Sequence, residues 1–148
     1  MKKILILEDK KENIDALTGI ITEMDEDIKL YPTSRTEDAY QTALEKNIDV
    51  FLVDIVLKPE KLDDMSGMIF AESIRQVEKY RFTPIIFLTA LCNPEMHAYK
   101  EIHCYGYLSK PYNKEVKNIR KTIQNVMVAI LVDYFVSRSA DICHYCNF

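Results

Sequence analysis

The chain has 148 residues, of which 48% are apolar and 28% are charged, and its formal net charge is −4. This length allows one domain with a substantial core but not two, and the composition is that of an ordinary globular domain. The negative balance argues against nucleic acid as a partner of the whole chain. No apolar run approaches the ~18 residues of a membrane helix.

The N-terminal segment bears on the cellular compartment. Met1-Lys2-Lys3 leads directly into an apolar run that Glu8-Asp9 ends, and this run is too short for the apolar region of a signal peptide. We therefore expect a cytoplasmic protein with no membrane association, in which the four cysteines are reduced thiols.

Apolar runs typical of buried strands alternate with segments of helical periodicity along the chain. In order, the segments are a strand at Ile4–Leu7, a helix at Lys10–Met24, a strand at Ile28–Tyr31 closed by Pro32, a helix behind a capping box at Ser34–Glu37, a strand at Val50–Asp54, a helix at Gly67–Lys79, a strand at Ile85–Leu88, a short helix opened by Asn93-Pro94, a strand at Tyr105–Leu108 and a helix capped by Asn113. Such alternation predicts an α/β fold, a doubly wound five-stranded parallel sheet. We expect the flavodoxin-like strand order 2-1-3-4-5.

Polar side chains follow four of these strands. Glu8-Asp9 ends the first, Asp54 the third, Thr89 the fourth and Lys110 the fifth, so that all meet at one edge of the sheet. Three clustered carboxylates repel one another, and a hard divalent cation such as Mg²⁺ relieves that repulsion. A carboxylate can also accept a phosphoryl group as a nucleophile. In that case Lys110 and Thr89 would clamp the phosphoryl oxygens.

Taken together, Asp54 after an apolar strand, Glu8-Asp9, Thr89-Ala90 and Lys110-Pro111 resemble the receiver domain of two-component response regulators. The resemblance covers about residues 1–127. It implies that the chain is a signalling domain rather than a conventional enzyme. It also implies that a sensor histidine kinase phosphorylates Asp54 in a Mg²⁺-dependent reaction, and that phosphorylation switches a dimerisation or output surface.

The resemblance also implies roles for individual residues. Asp9 and Asp54 would bind Mg²⁺ directly, together with the main-chain carbonyl of Val56, whereas Glu8 would act largely through water. The Lys110–Pro111 bond would be cis, a geometry almost confined to proline. Thr89 and Tyr107 would form the switch, in which Tyr107 turns inward as Thr89 moves toward the phosphoryl group.

Two features depart from the family pattern. The loop from Lys58 to Ser66 is longer than usual before Gly67, which we expect to change the rim of the site and not its chemistry. Val56 and Leu91 are apolar where the family has polar residues that orient the hydrolytic water. We therefore predict slow self-dephosphorylation.

The segment after Met127 reads as an extension. Residues 128–148 alternate in the manner of a strand, a polar turn and a second strand, and they resemble the opening hairpin of LytTR-type DNA-binding domains. The chain would then end inside a truncated output domain, and it would contact DNA only through the missing part.

Three alternatives stay open. A metal-dependent phosphohydrolase would also use an acceptor aspartate but needs a second acid two residues later, where Val56 stands. A phosphorylation-independent interaction module would bind no metal. A zinc site is disfavoured because Cys143 and Cys146 have no second pair with the spacing of a zinc module; the other candidate ligands are Cys92, Cys104, His97 and His103.

Overall fold

A computed structural model describes residues 1–24, 27–57, 64–90 and 104–145, and in the last range it describes side chains up to Asp133 and at Val136. Its five strands form one parallel sheet in the order β2-β1-β3-β4-β5. The strands are β1 (Lys2–Leu7), β2 (Ile28–Thr33), β3 (Val50–Asp54), β4 (Ile85–Thr89) and β5 (Gly106–Ser109). The α/β class and the strand order predicted from the sequence are confirmed.

Helices cover both faces of the sheet. In the described ranges the helices are α1 (Lys11–Thr22), α2 (Thr36–Glu45), α3 (Ser66–Arg75) and α4 (Val116–Tyr145), with short 3₁₀ turns at Glu78–Tyr80 and Tyr112–Lys114. Alternate strand residues serve the two faces: Leu5 and Phe51 pack with α2 and α3, whereas Ile4 and Leu52 pack with α1 and α4. Because both faces are covered, the central strands are continuous apolar runs.

Strand β2 is longer than predicted. The sequence suggested that Pro32 closes it, yet the strand continues through Thr33, and Pro32 lies opposite Ile6 of β1. Among the described residues, β2 is an edge strand that pairs only with β1. A proline is tolerated there because its missing N–H can lie on the unpaired side.

Two helix boundaries also differ from the prediction. Helix α2 begins at Thr36 after Arg35, and no side-chain hydrogen bond caps it, so the predicted capping box at Ser34–Glu37 is wrong. Helix α3 ends at Arg75 instead of continuing to Lys79. The Arg75 guanidinium donates to the carbonyls of Tyr80 and Thr83, and these bonds hold the chain where it folds back toward β4.

The C-terminal extension is helical as far as Tyr145, so the predicted strand-turn-strand is wrong. Helix α4 runs without a break from Val116 to Tyr145, about 45 Å at 1.5 Å per residue. The apolar residues Ile119, Ile123 and Val126 anchor its first half in the core. No glycine or proline follows to end it, so the helix propagates despite the β-favouring side chains. The resemblance to a LytTR-type hairpin thereby loses its structural basis.

Some predicted features lie outside the described residues. These are the short helix opened by Asn93-Pro94, the greater part of the loop from Lys58 to Ser66, and Leu91. Within the described part of the chain, no helix has the length and apolar character that crossing a membrane requires.

Candidate functional site

Three carboxylates gather at the carboxyl ends of β1 and β3. Leu7 lies opposite Val53 in the sheet register, so Glu8 and Asp9 leave β1 beside Asp54 at the end of β3. One oxygen from each of the three carboxylates lies within 4.8 Å of the others. Glu8 is fully buried, Asp54 is 2% exposed and Asp9 is partly buried. The sequence therefore located this cluster correctly.

Lys110 joins two of these carboxylates. Its Nζ lies 2.7 Å from Asp54 Oδ2 and 2.9 Å from Glu8 Oε2. The Lys110 N–H also donates to the carbonyl of Thr89 at 2.9 Å, which ties the residue to the end of β4. The peptide bond between Lys110 and Pro111 is cis. A single ammonium thus lies between two buried carboxylates.

The turn after β3 holds Asp54 from the other side. The Val56 N–H donates to Asp54 Oδ1 at 3.1 Å. Gly67, in the first turn of α3, approaches the same turn so closely that an added Cβ would lie 1.7 Å from the main-chain oxygen of Asp54. Its N–H donates to the carbonyl of Ile55 at 3.1 Å. Only glycine allows α3 to pack this tightly against the strand end.

Burial and charge set the ionisation of the site. Burial raises the pKa of Asp54 from 3.8 to about 7; the Lys110 ammonium opposes this shift and the charge of Glu8 adds to it. Burial acts in the same direction on Glu8, but Lys110 outweighs it and the pKa of Glu8 lies below its usual value. Burial and the neighbouring Glu8 raise the pKa of Asp9. The carboxylates carry more negative charge than Lys110 balances, which is the situation that a divalent cation resolves.

A pocket of about 210 Å³ opens onto this cluster. Its lining residues are Asp9, Lys10, Asn13, Asp54, Val56, Thr89, Ala90 and Lys110. The structure thus brings together most of the site residues that the sequence suggested. Tyr107 stands apart, because its side chain lies on edge strand β5 and is 49% exposed.

Sequence reasoning missed Tyr112. Its hydroxyl donates to Glu8 Oε2 at 3.1 Å, and its side chain is 2% exposed. Burial and the charge of Glu8 raise the pKa of Tyr112, which keeps the hydroxyl protonated. No local pattern could have identified this contact, because the two residues are 104 positions apart.

The family described as response regulator receiver domain matches residues 4–124. The chain belongs to this family. Receiver domains are signalling domains of two-component systems and bind Mg²⁺ at an acidic pocket, and the cluster of Glu8, Asp9 and Asp54 fits the phosphorylation site of such a domain.

Curated relatives extend beyond the matched region. The chain is 32% identical over 80 residues to the probable transcriptional regulator ycf29 of Porphyra purpurea, a match that covers 53% of this chain and 35% of that protein. It is 25% identical over 112 residues to the transcriptional regulatory protein NatR of Bacillus subtilis, covering 76% of this chain and 45% of that protein. The chain therefore spans less than half the length of these relatives.

Solved structures share the fold. The chemotaxis response regulator CheY4 of Vibrio cholerae is 27% identical with a TM-score of 0.70, covering 85% of this chain and 98% of that one. NtrX from Brucella abortus is 18% identical with a TM-score of 0.74, covering 93% of this chain and 30% of that one. The arrangement of strands and helices is thus that of known receiver domains.

Proposed function

We propose that this receiver domain accepts a phosphoryl group on Asp54 from a sensor histidine kinase in a Mg²⁺-dependent reaction, in the cytoplasm. The observation that carries the proposal is the buried Asp54 carboxylate, which lines an open pocket with Asp9 and Thr89 while Lys110 Nζ lies 2.7 Å away. An acceptor carboxylate, a metal-binding carboxylate and a fixed ammonium are the groups that phosphoryl transfer to aspartate needs.

Asp54 is the nucleophile in this proposal. The Val56 N–H holds Oδ1 and Lys110 holds Oδ2, so the carboxylate has one orientation toward the pocket. A new O–P bond forms on Asp54 as the P–N bond of the kinase phosphohistidine breaks, and the imidazole leaves with the bonding electron pair. Lys110 and the Thr89 hydroxyl then donate to the phosphoryl oxygens, whose charge they offset.

The metal ligands follow from the same cluster. Asp9 and Asp54 would hold Mg²⁺ with the carbonyl of Val56, and Glu8 would contact it largely through water. The donors fit, because they are hard oxygen atoms in a cluster with excess negative charge. When bound, Mg²⁺ supplies positive charge that offsets the oxygens of the transferring phosphoryl group.

Phosphorylation would act on the output through Thr89 and Tyr107. Thr89 ends β4, and Tyr107 lies on the adjacent β5 opposite Phe87. Movement of Thr89 toward the phosphoryl group would let the exposed Tyr107 turn inward and change the surface of β5. We infer that this surface mediates homodimerisation or contact with an output domain. Contact with DNA would belong to such a domain, in keeping with the transcriptional regulators among the relatives.

The test is intact-protein mass spectrometry after incubation with Mg²⁺ and acetyl phosphate. We expect one phosphoryl adduct that requires Mg²⁺ and is lost in Asp54→Ala. Asp15→Ala is the matched control, because Asp15 is an exposed carboxylate of α1 and its loss should leave the adduct unchanged. Folded protein that forms no adduct would instead favour an interaction module that works without phosphorylation.

A metal-dependent phosphohydrolase is less consistent with the site. Such an enzyme needs a second acid two residues after the acceptor, and Val56 occupies that position. The chain would therefore catalyse only its own phosphorylation and a slow dephosphorylation. Phosphate released from acetyl phosphate, measured beside the adduct, distinguishes the functions. A phosphohydrolase would turn over the phosphodonor without accumulating an adduct, whereas an interaction module would do neither.

A further inference from the structure

The Tyr112 hydroxyl is a buried polar group that the proposed chemistry does not use directly. Tyr112 begins the 3₁₀ turn that follows Pro111, and its ring lies in the core between the sheet, α1 and α4. Core packing alone would need only the ring. The hydroxyl instead reaches 3.1 Å to Glu8 Oε2, on a carboxylate that solvent does not reach.

The two oxygens of Glu8 are held unequally. Oε2 receives both the Tyr112 hydroxyl at 3.1 Å and Lys110 Nζ at 2.9 Å. Oε1 receives the Lys10 N–H at 3.3 Å. Two donors on one oxygen fix the rotation of the carboxylate, and Oε1, which receives the longer bond, keeps acceptor capacity. Without the hydroxyl, only Lys110 would bind Glu8 Oε2, and Lys110 also binds Asp54 Oδ2.

We propose that Tyr112 is a positioning residue of the metal site. Its hydroxyl fixes Glu8 so that Oε2 faces Lys110 and the carboxylate keeps its place in the cluster with Asp9 and Asp54. Groups that orient metal-binding carboxylates through hydrogen bonds typically change metal affinity about 10-fold or more when they are removed. The inference rests on the proposed function, because it assumes that the carboxylate cluster binds Mg²⁺.

The direct test is calorimetric titration of metal-free protein with Mg²⁺ at one fixed pH. Tyr112→Phe keeps the ring and removes only the hydroxyl, and we expect it to weaken Mg²⁺ binding by about tenfold. Tyr80→Phe is the matched control, because Tyr80 is equally buried. Its hydroxyl bonds main-chain groups of Ala43, Lys46 and Ile48, outside the metal site. This control should lose stability but keep the wild-type Mg²⁺ affinity.

A double-mutant cycle then asks whether Tyr112 acts through Glu8. In a Glu8→Gln background, Tyr112→Phe should cause little further loss of Mg²⁺ affinity, because the group that it positions has already changed. Additive losses would show that Tyr112 works by another route and would overturn the proposal.

The titration also separates two kinds of failure. If the wild type binds Mg²⁺ and Tyr112→Phe binds it equally well, the positioning role is wrong while the proposed function stands. Equal weakening by Tyr80→Phe would assign the effect to general loss of packing and would likewise overturn the role. If the folded wild type binds no Mg²⁺, the proposed function fails, and this inference fails with it.

Discussion

At the scale of single residues, the site contains three carboxylates grouped around the Lys110 ammonium. Lys110 contacts both Asp54 and Glu8, while Asp9 lies beside them. Burial lowers the pKa of Lys110, but hydrogen bonds and charge attraction to Asp54 and Glu8 outweigh this effect. The pKa of Lys110 is therefore raised, and its ammonium stays charged. The metal-free site is therefore under electrostatic strain, and this strain should depend on pH.

Asp54→Asn tests that strain. The pKa of Asp54 is about 7 in the folded protein against a usual 3.8, so folding favours its protonated form. Its contribution to the free energy of unfolding falls as pH rises from about 4 to about 7. Without metal, Asp54→Asn should therefore gain about 1–3 kcal/mol relative to the wild type between pH 5 and pH 8. Urea unfolding in EDTA measures this, and an equal difference at both pH values would contradict it.

Gly67 makes a steric prediction. A Cβ there would lie 1.7 Å from the main-chain oxygen of Asp54, and the backbone would have to move to relieve this clash. Gly67→Ala should cost about 3 kcal/mol or more of unfolding free energy. Gly19→Ala is the control, because an added Cβ in α1 meets nothing within 4 Å and should stabilise the helix by about 0.5–1 kcal/mol. Chemical unfolding of both variants gives the comparison, and similar stabilities would refute the close approach.

Val56 makes a kinetic prediction. Its half-buried apolar side chain lines the pocket beside Asp54, where it offers no hydrogen bond to a hydrolytic water. Phosphorylated wild type should decay slowly, and Val56→Asn should decay several-fold faster because an amide can orient the attacking water. Loss of the adduct with time, followed by mass spectrometry, measures both rates. A wild-type lifetime of only seconds would contradict this expectation.

At the scale of elements, parallel register explains why so much of the site was predictable. Four polar segments end apolar strands, and strands aligned in one direction bring their carboxyl ends to a common edge. The alternation of strand and helix predicted a doubly wound sheet, and the order 2-1-3-4-5 comes from the flavodoxin-like fold that this pattern matches. Asp54, Asp9, Thr89 and Lys110 could be brought together by this reasoning because each one ends a strand or follows it within two residues.

The predictions that failed have specific structural causes. The extension after Met127 looked like strands because valine, isoleucine and phenylalanine favour them, yet a helix already anchored by Ile123 and Val126 continues past that point. Pro32 looked like a strand end because proline usually interrupts strand pairing, yet β2 lies at the edge of the sheet, where a proline is tolerated. The bond from Tyr112 to Glu8 joins distant parts of the chain through the core, where pattern carries no information.

Helix α4 gives a prediction at this scale. Its core contacts include Val126 and Met127, which are buried, whereas Val128 and Val132 are exposed. A chain that ends at Met127 should therefore stay folded and keep Mg²⁺-dependent phosphorylation, although it loses the partly buried Ile130. Circular dichroism should show less helix than in the full chain and an intact cooperative transition. Unfolding of this shorter chain would mean that the domain boundary lies further along α4.

At the scale of the whole molecule, the fold separates the chemistry from the surface that it would change. The pocket opens at the carboxyl edge of the sheet, between the α1–α4 layer and the α2–α3 layer. Tyr107 lies on edge strand β5, exposed to solvent and two residues before Ser109, which pairs with Thr89. A phosphoryl group on Asp54 would thus act on the output surface through the adjacent ends of β4 and β5. This route requires that Asp54, and not Glu8 or Asp9, accepts the phosphoryl group.

The most direct measurement is therefore to locate the phosphoryl group. The protein is treated with Mg²⁺ and acetyl phosphate and then reduced with borohydride, which converts a phosphorylated aspartate to homoserine, and the peptides are mapped by mass spectrometry. We predict homoserine at position 54 and at no other position. Modification of Glu8 or Asp9 in its place, or no modification of folded protein in the presence of Mg²⁺, would contradict the central claim that Asp54 is the acceptor.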